Sequence, residues 1–350
     1  MSTQGLVGPT VQSRVTLAAV ARQAGVSLAT ASKVLNGRDG VGADTRQRVS
    51  AILTEVGYVA QGATRFTTDV PLTGASLVIL VDSVLDPYTS AVLAGVLDEA
   101  DVLGTNVVIR QLHQLSRQNP TEWAEGLLAS GGIGVVEVSS EFSAARREAL
   151  HDARLPVVLI DPIGAPSSEM LSVGATNWAG GMAATEHLLS LGHRRIGYIG
   201  GPLRATCDQA RGHGYLAAMR GAGIRVNLDT VPHGSFSFDH GLVAGTSMLT
   251  AAERPTAIFA GSDRIALGVL EAARTLGLRT PQDLSIVGFD DTLLAGTSAP
   301  RLTTIHQPIE EIGRTAVRVI VGVITGDDVA ARPVELSTHL VIRDSTAPMT

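Results

Sequence analysis

Gly25-Val26-Ser27 separates two short helical patterns by a single tight break, and no other feature constrains the fold as narrowly. Upstream of it, Leu17, Val20, Ala21 and Ala24 recur at i, i+3, i+4 and i+7, which makes one apolar stripe of an α-helix. Thr16 offers a hydroxyl cap for the first turn. Gly25 ends the helix, because glycine takes the left-handed backbone of a helix stop without steric cost. Ser27 caps a second helix only two residues later. So short a connection makes the helices cross steeply, as in a helix-turn-helix. Ala31, Val34 and Leu35 then face inward. A third helix is predicted from a cap at Asp44 to Gly57, with Val49, Ile52, Leu53 and Val56 on its buried side.

The second helix turns Leu28, Ala29, Thr30, Ser32, Lys33 and Asn36 outward. That set suits a DNA major groove. Lys33 can donate to guanine, and Leu28 and Ala29 can lie against thymine methyls. Thr16, Ser27, Thr30, Ser32 and Asn36 are short polar groups of the kind that hold phosphates and fix register. Leu17, at the start of the first helix, completes the candidate contacts. A merely solvated face would not account for the adjacent Leu28 and Ala29. Charge points the same way. Residues 1–66 carry six Arg, one Lys, two Asp and one Glu, a net +4, while the whole chain is −6, leaving −10 for the remainder. A basic head on an acidic body is the footprint of nucleic-acid binding.

This segment resembles the headpiece of the LacI/GalR family of bacterial transcription factors, in the stretches Val15 to Ala21, Ala24 to Gly37, Thr45 to Val49 and Gly57-Tyr58. The resemblance implies that Leu28, Ala29 and Lys33 read bases. It also implies a hinge after Tyr58, where paired helices of a dimer wedge a leucine into the minor groove. Here that leucine position falls on Thr67, and Phe66 is the nearest bulky apolar side chain. Either Phe66 supplies the wedge or the operator is kinked less. Arg65 is available for a phosphate or minor-groove contact. Gly62 together with Thr64, Thr67 and Thr68 makes this hinge, residues 59–75, a weak helix that is expected to order only on DNA.

Composition sets the outer limits. Apolar residues make up 45 % of the 350 and charged ones 17 %, so sizeable cores can form. The single cysteine, Cys207, excludes a disulfide framework and points to a reducing, cytoplasmic setting. No apolar run approaches the length of about 18 residues needed to span a membrane. Residues 1–14 lack a signal-peptide core and read as a disordered arm.

From Leu77 onward, short apolar runs alternate with amphipathic stretches. Strands are predicted at 76–82, 106–111, 133–138, 156–161 and 171–174, then at 195–200, 226–231, 257–260 and 284–289, with a last one at 334–342. Strict β/α alternation argues for parallel, doubly wound sheets, and two strand series argue for two lobes. The fold class expected is therefore α/β, a helix-turn-helix headpiece (15–58) plus a two-lobed sensor (76–347). Lobe 1 takes about 76–175 plus 306–332, and lobe 2 about 176–305 plus 333–347. The sensor also resembles the LacI/GalR ligand domain, which is similar to periplasmic sugar-binding proteins, at Ala184 to Ile196, Arg211 to Tyr215, Pro255 to Asp263, Asp283 to Asp291 and Leu302 to Pro308. Val173 to Gly181 is similar to actinobacterial members that sense xylose or oligosaccharides.

Ligands of open α/β sheets sit beyond the carboxyl ends of the strands. Asp82, Ser262, Asp263, Asp290 and Asp291 fall at such ends. A carboxylate facing a guanidinium grips a sugar hydroxyl, which both donates and accepts. The resemblance assigns Arg211 and Asp290 to ligand contact, the alternative being a structural ion pair across the cleft. Ser262 is a further candidate, whereas Asp263 and Asp291 read as caps. Trp178 can lay an indole face on a pyranose or simply pack in the core. Tyr88, Asn177 and His306 complete the candidate cleft. Cys207 reads as a buried or cleft thiol.

No nucleophile elbow, phosphate loop, paired-cysteine or zinc-helix motif is present, so no enzyme, metal or cofactor is expected. The expected function is a homodimeric repressor that binds palindromic operator DNA and is released by a small sugar, either pentose, disaccharide or oligosaccharide. A corepressor-type sensor of a purine and a stand-alone sugar-binding protein are the rivals. The latter would leave the basic head without purpose.

Overall fold

The computed structural model describes residues 17–35, 41–55, 72–115, 117–164, 170–227, 230–326 and 333–349. The chain divides into two compact units between Arg65 and Phe66. The first contains α1 (Leu17–Gln23), α2 (Leu28–Leu35) and α3 (Ala43–Glu55). Gly25 is left-handed at φ 67°, and the Ser27 hydroxyl accepts from the Thr30 amide at 3.1 Å. The break between α1 and α2 thus forms through the two residues that the sequence supplies for it. The shared core is Val20, Ala21, Ala24, Ala31, Val34 and Val49. Alanines let the helices approach closely but bury little apolar area, so this unit is small and thinly stabilised by burial. Asp44 lies inside the first turn of α3 and is not its cap. Its carboxylate there complements the positive end of the helix. The arm 1–14, the hinge residues 59–71, and Thr16, Asn36, Arg65 and Phe66 lie outside the described residues.

The second unit holds two sheets. The first has the order β10-β5-β4-β3-β1-β2, all parallel, from β1 (Ser76–Val81), β2 (Asn106–Gln111), β3 (Gly132–Val138), β4 (Val157–Ile160), β5 (Leu171–Ala175) and β10 (Val334–Leu336). One face is covered by α4 (Pro87–Leu103) and α13 (Ile309–Thr325), the other by α5 (Leu112–Leu115), α6 (Pro120–Ala129) and α7 (Ala144–Asp152). Burial on both faces is why β1 and β3 show no polar alternation, β3 being interrupted only by the buried Glu137.

The second sheet has the order β11-β9-β8-β7-β6. Strands β6 (Ile196–Ile199), β7 (Ala257–Ala260), β8 (Ser285–Asp290) and β9 (Thr303–His306) are parallel, and β11 (His339–Val341) runs antiparallel to β9. Helices α8 (Asn177–Ser190) and α9 (Thr206–Gly221) cover one face. The other is covered by α10 (Phe238–Leu249) and α11 (Asp263–Thr275), and α12 (Leu293–Thr297) follows β8.

The chain passes between the sheets three times, from β5 into α8, from β9 into α13, and from β10 into β11. All three passages leave from the β10-β5 or β11-β9 edges, so the lobes are hinged along one side.

Two strand expectations are corrected. Residues 226–231 form no strand where they are described. Thr230 N–H closes a turn on Asn227 C=O, and only His233 reaches the sheet, through an isolated bridge to Gly200. The predicted strand 334–342 divides at Ser337-Thr338, where Thr338 is held by the Thr176 hydroxyl. Its first half joins lobe 1 and only its second half joins lobe 2, so lobe 2 does not begin at residue 333. β9 likewise keeps His306 in lobe 2. Helices α5 and α12 had no counterpart in the sequence reading. Among the described residues, no helix is long and apolar enough to cross a membrane.

Candidate functional site

Arg211 organises the cleft. It lies one turn into α9 and is 3 % exposed. Its Nε donates to Asn177 Oδ1 at 2.8 Å and its Nη1 to Gly261 C=O at 2.6 Å. Asp290 Oδ1 sits 3.6 Å from the same Nη1. The guanidinium carbon lies 3.8 Å from the Phe289 ring centroid, close enough for a cation–π contact. Asn177, the first residue of α8, is itself fixed by donating to Ala175 C=O at 3.0 Å. Arg211 is therefore held in one place by three elements of lobe 2.

Facing it from lobe 1 is Asp161, just past β4. Tyr88, in the first turn of α4, donates its hydroxyl to Asp161 Oδ2 at 2.5 Å. Burial raises the Asp161 carboxyl above the usual aspartate value, while Arg211, Tyr88 and Asn177 pull it back. Burial, reinforced by Asp161, pushes the Tyr88 phenol well above 10, so Tyr88 is a neutral donor. Asp290 is also raised, mainly by burial, and accepts from Gln307 Nε2 at 2.7 Å. Cys207 and Asp208 open α9 beside this group. Burial pushes the thiol up to about 12, which makes it a poor nucleophile. Asp208 Oδ1 accepts from the Tyr198 hydroxyl at 2.7 Å, and its other oxygen lies 3.5 Å from His233 Nδ1.

Of the predicted cleft residues, Tyr88, Asn177, Arg211 and Asp290 come together. Trp178 follows Asn177 on α8 and is 48 % exposed, which rules out simple core packing. Three others are placed elsewhere. Ser262 is the cap of α11, accepting from the Ile265 amide, and the neighbouring Gly261 carbonyl is what meets Arg211. His306 turns to Asp291 at 3.0 Å and packs at a tilt against the His339 ring. The next residue, Gln307, points the opposite way and reaches Asp290. Asp82 is exposed at the end of β1 and lies near buried Glu137 instead of the cleft. Asp263 and Asp291 are not caps. Asp263 is a buried strut accepting from Thr292 and Thr304, and Asp291 pairs with Arg343 and His306.

Asp161, Cys207 and Asp208 were not singled out as ligand residues from the sequence. Asp161 had a usable signal, since it closes the predicted strand 156–161. Cys207 and Asp208 had none, because a first helical turn does not show which way it faces.

On the first unit, α2 buries Ala31 and Val34 and presents Leu28, 54 % exposed, together with exposed Lys33 and Ser27. Thr30 is partly buried. Ala29 and Ser32 lie on the same helix, and Leu17 starts α1.

The chain matches the model for bacterial regulatory proteins of the lacI family over residues 16–61 and that for a periplasmic binding protein-like domain over 185–346. It is 32 % identical to the HTH-type transcriptional regulator CelR of Thermobifida fusca, covering 95 % of this chain and 98 % of that one. It is 33 % identical to the HTH-type transcriptional repressor CytR of Escherichia coli K12, covering 95 % and 96 %. Among solved structures, the CelR–cellobiose complex superposes with a TM-score of 0.71 at 31 % identity, over 95 % of this chain and 100 % of that one. The lac repressor dimer bound to operator and the anti-inducer ONPF gives 0.67 at 27 %, over 95 % and 99 %.

Proposed function

The chain belongs to the LacI family of DNA-binding transcriptional regulators, and we propose that it is a homodimeric repressor released from a palindromic operator by a small, uncharged sugar bound between the lobes. The observation that carries the sugar reading is the set of groups meeting at Arg211. One guanidinium and a phenol donor face the carboxylates of Asp161 and Asp290, with Asp208 close by. Sugar hydroxyls donate and accept, so each can bridge such a pair. A single guanidinium already flanked by three buried acidic side chains has little positive charge left to hold a sugar phosphate or an acid. The half-exposed indole of Trp178 gives the apolar face of a sugar ring a place to lie. The likeness to the CelR–cellobiose complex favours a β-linked disaccharide as the first candidate. On the DNA side, α2 carries Leu28, Ala29 and Lys33 into the major groove. Two half-sites are needed, because one headpiece offers too little surface for tight binding.

The deciding experiment is a thermal-shift screen of mono- and disaccharides and their phosphates, in which a true effector at 100 times its dissociation constant adds about 2.7 kcal/mol. Arg211→Ala should lose that shift while still retarding operator DNA. A screen in which only phosphorylated sugars stabilise the protein refutes the uncharged effector. Lys33→Ala should cost about 1–3 kcal/mol at one operator position. An unchanged preference at every position removes Lys33 from the readout.

A further inference from the structure

Besides the three hinge passages, the lobes are joined by hydrogen bonds between residues 162–164 and 204–206 and by two ion pairs in the segments that follow strands remote from the hinge. Asp86, after β1, pairs with Arg264 at the start of α11, after β7. Glu141, after β3, pairs with Arg204, after β6, at 2.5 Å. The two pairs differ in kind. Arg204 and Glu141 are 67 % and 60 % exposed, so solvent screens their attraction. Arg264 and Asp86 are 38 % and 23 % exposed, and Asp86 has a second task. Its Oδ1 caps α4, accepting from the Tyr88 amide at 3.0 Å and the Thr89 amide at 3.2 Å, while its Oδ2 accepts from Arg264. Tyr88, so anchored, donates to Asp161 in the cleft.

We infer that Asp86 and Arg264 form a closure latch, in which Arg264 of lobe 2 grips the residue that positions Tyr88 in lobe 1, so that shutting the lobes and seating Tyr88 are one event. The inference rests on the cleft being the effector site and extends it to how closure is held. Opening the lobes must pull Arg264 off Asp86, because the two sit on elements that no hinge passage joins. The capping oxygen is engaged independently, so α4 stays formed when the latch opens. Asp86 thereby becomes a positioning residue, and the half-exposed ion pair sets how readily the cleft opens before any ligand arrives. Glu141–Arg204 sits on the same open side but touches no cleft side chain, which makes it an internal control.

Cys207 supplies the reporter. It is the only cysteine in the chain, is 7 % exposed, and lies between the two lobes near Tyr88 and Asp161. Its rate of modification by a thiol reagent, measured on the full chain without any sugar, reads cleft opening. Asp86→Asn keeps the cap, since Asn caps as well as Asp, and removes the charge. Asp86→Asn and Arg264→Gln should each speed modification about fivefold, with the double variant no faster than either single one. Arg264→Lys, which keeps the charge, should stay near wild type, and Arg204→Gln should change the rate less than about twofold. Wild-type rates in both latch variants overturn the inference, and so do effects that multiply in the double variant. An equal effect from Arg204→Gln also overturns it, by showing that surface charge in general holds the lobes. Because no sugar is present, such a result leaves the sugar reading untouched. A protein that binds no sugar but shows the expected rates keeps the latch.

Discussion

Asp161 follows β4 and Asp290 ends β8, in different sheets, and both hold left-handed backbone, at φ 42° and 114°. Such conformations cost an L-residue of order 1–3 kcal/mol and persist where packing over-determines them, commonly at ligand sites. In both residues the turn swings the carboxylate into the cleft and places it against Arg211 or its neighbours. A different balance operates one layer back, at His233. The Asp208 carboxylate 3.5 Å away holds this imidazole above its ordinary 6.5. A raised folded value means that protonated His233 stabilises the fold. That contribution is complete below the unfolded value and is lost as pH rises through the folded one. The stability gap between wild type and His233→Asn should therefore narrow in thermal denaturation as pH rises above the ordinary 6.5. A gap that stays constant over that rise would show the pair contributes no pH dependence.

Helices α8 and α9 carry Asn177, Trp178 and Arg211, and they meet glycine to backbone. A Cβ on Gly181 would stand 2.2 Å from Arg211 C=O, and one on Gly214 would stand 2.2 Å from Trp178 C=O. Only a residue without a side chain permits this approach, and the approach is what lets Arg211 reach Asn177. Gly214→Ala should force the helices apart, destabilise the protein by about 1–3 kcal/mol and weaken effector binding together with it. Gly221→Ala, at the end of α9 with nothing within 4 Å of its Cβ, should be neutral or stabilising. If calorimetry and ligand titration find the two substitutions equivalent, close packing does not set the site. The glycines in Gly180-Gly181 and Gly212-His213-Gly214 are visible as sequence words, but nothing in either word says that one helix packs on the other. Helix α2 was more legible, since its Ser27 cap, the Gly25 stop of the helix before it and its exposed Leu28 are all local features. Ser262 misled for a related reason. A hydroxyl at a strand end can cap a helix or face a ligand, and only the path of the chain over Gly261 distinguishes the two.

Across the whole molecule, the two halves of the predicted last strand join different sheets, and that split makes the third passage between lobes. Three passages on one side leave the opposite side held by non-covalent contacts alone, so a ligand between the lobes can bias their opening. If effector and operator are coupled in this way, linkage requires the coupling to be reciprocal. Operator DNA should weaken effector binding by the same factor by which effector weakens operator binding, a factor of about 5–150 for ordinary couplings. Calorimetric titration of the effector with and without operator measures one side, and a DNA-retardation series measures the other. Unequal factors at equilibrium would rule out a simple two-state switch.

The order of residues alone determined the helix-turn-helix break, the β/α alternation, and the division into a basic head and an acidic body. Periodicity, capping and charge act over a few residues and leave their mark in the chain. The pairing of Tyr88 with Asp161, the substitution of Gln307 for His306 at Asp290, and the grip of Arg264 on Asp86 were decided only by tertiary structure. Each joins residues between 17 and 178 positions apart. Which side chain enters a cleft depends on the turn that each strand end makes and on which lobe the chain enters next, and neither is fixed by the neighbouring residues.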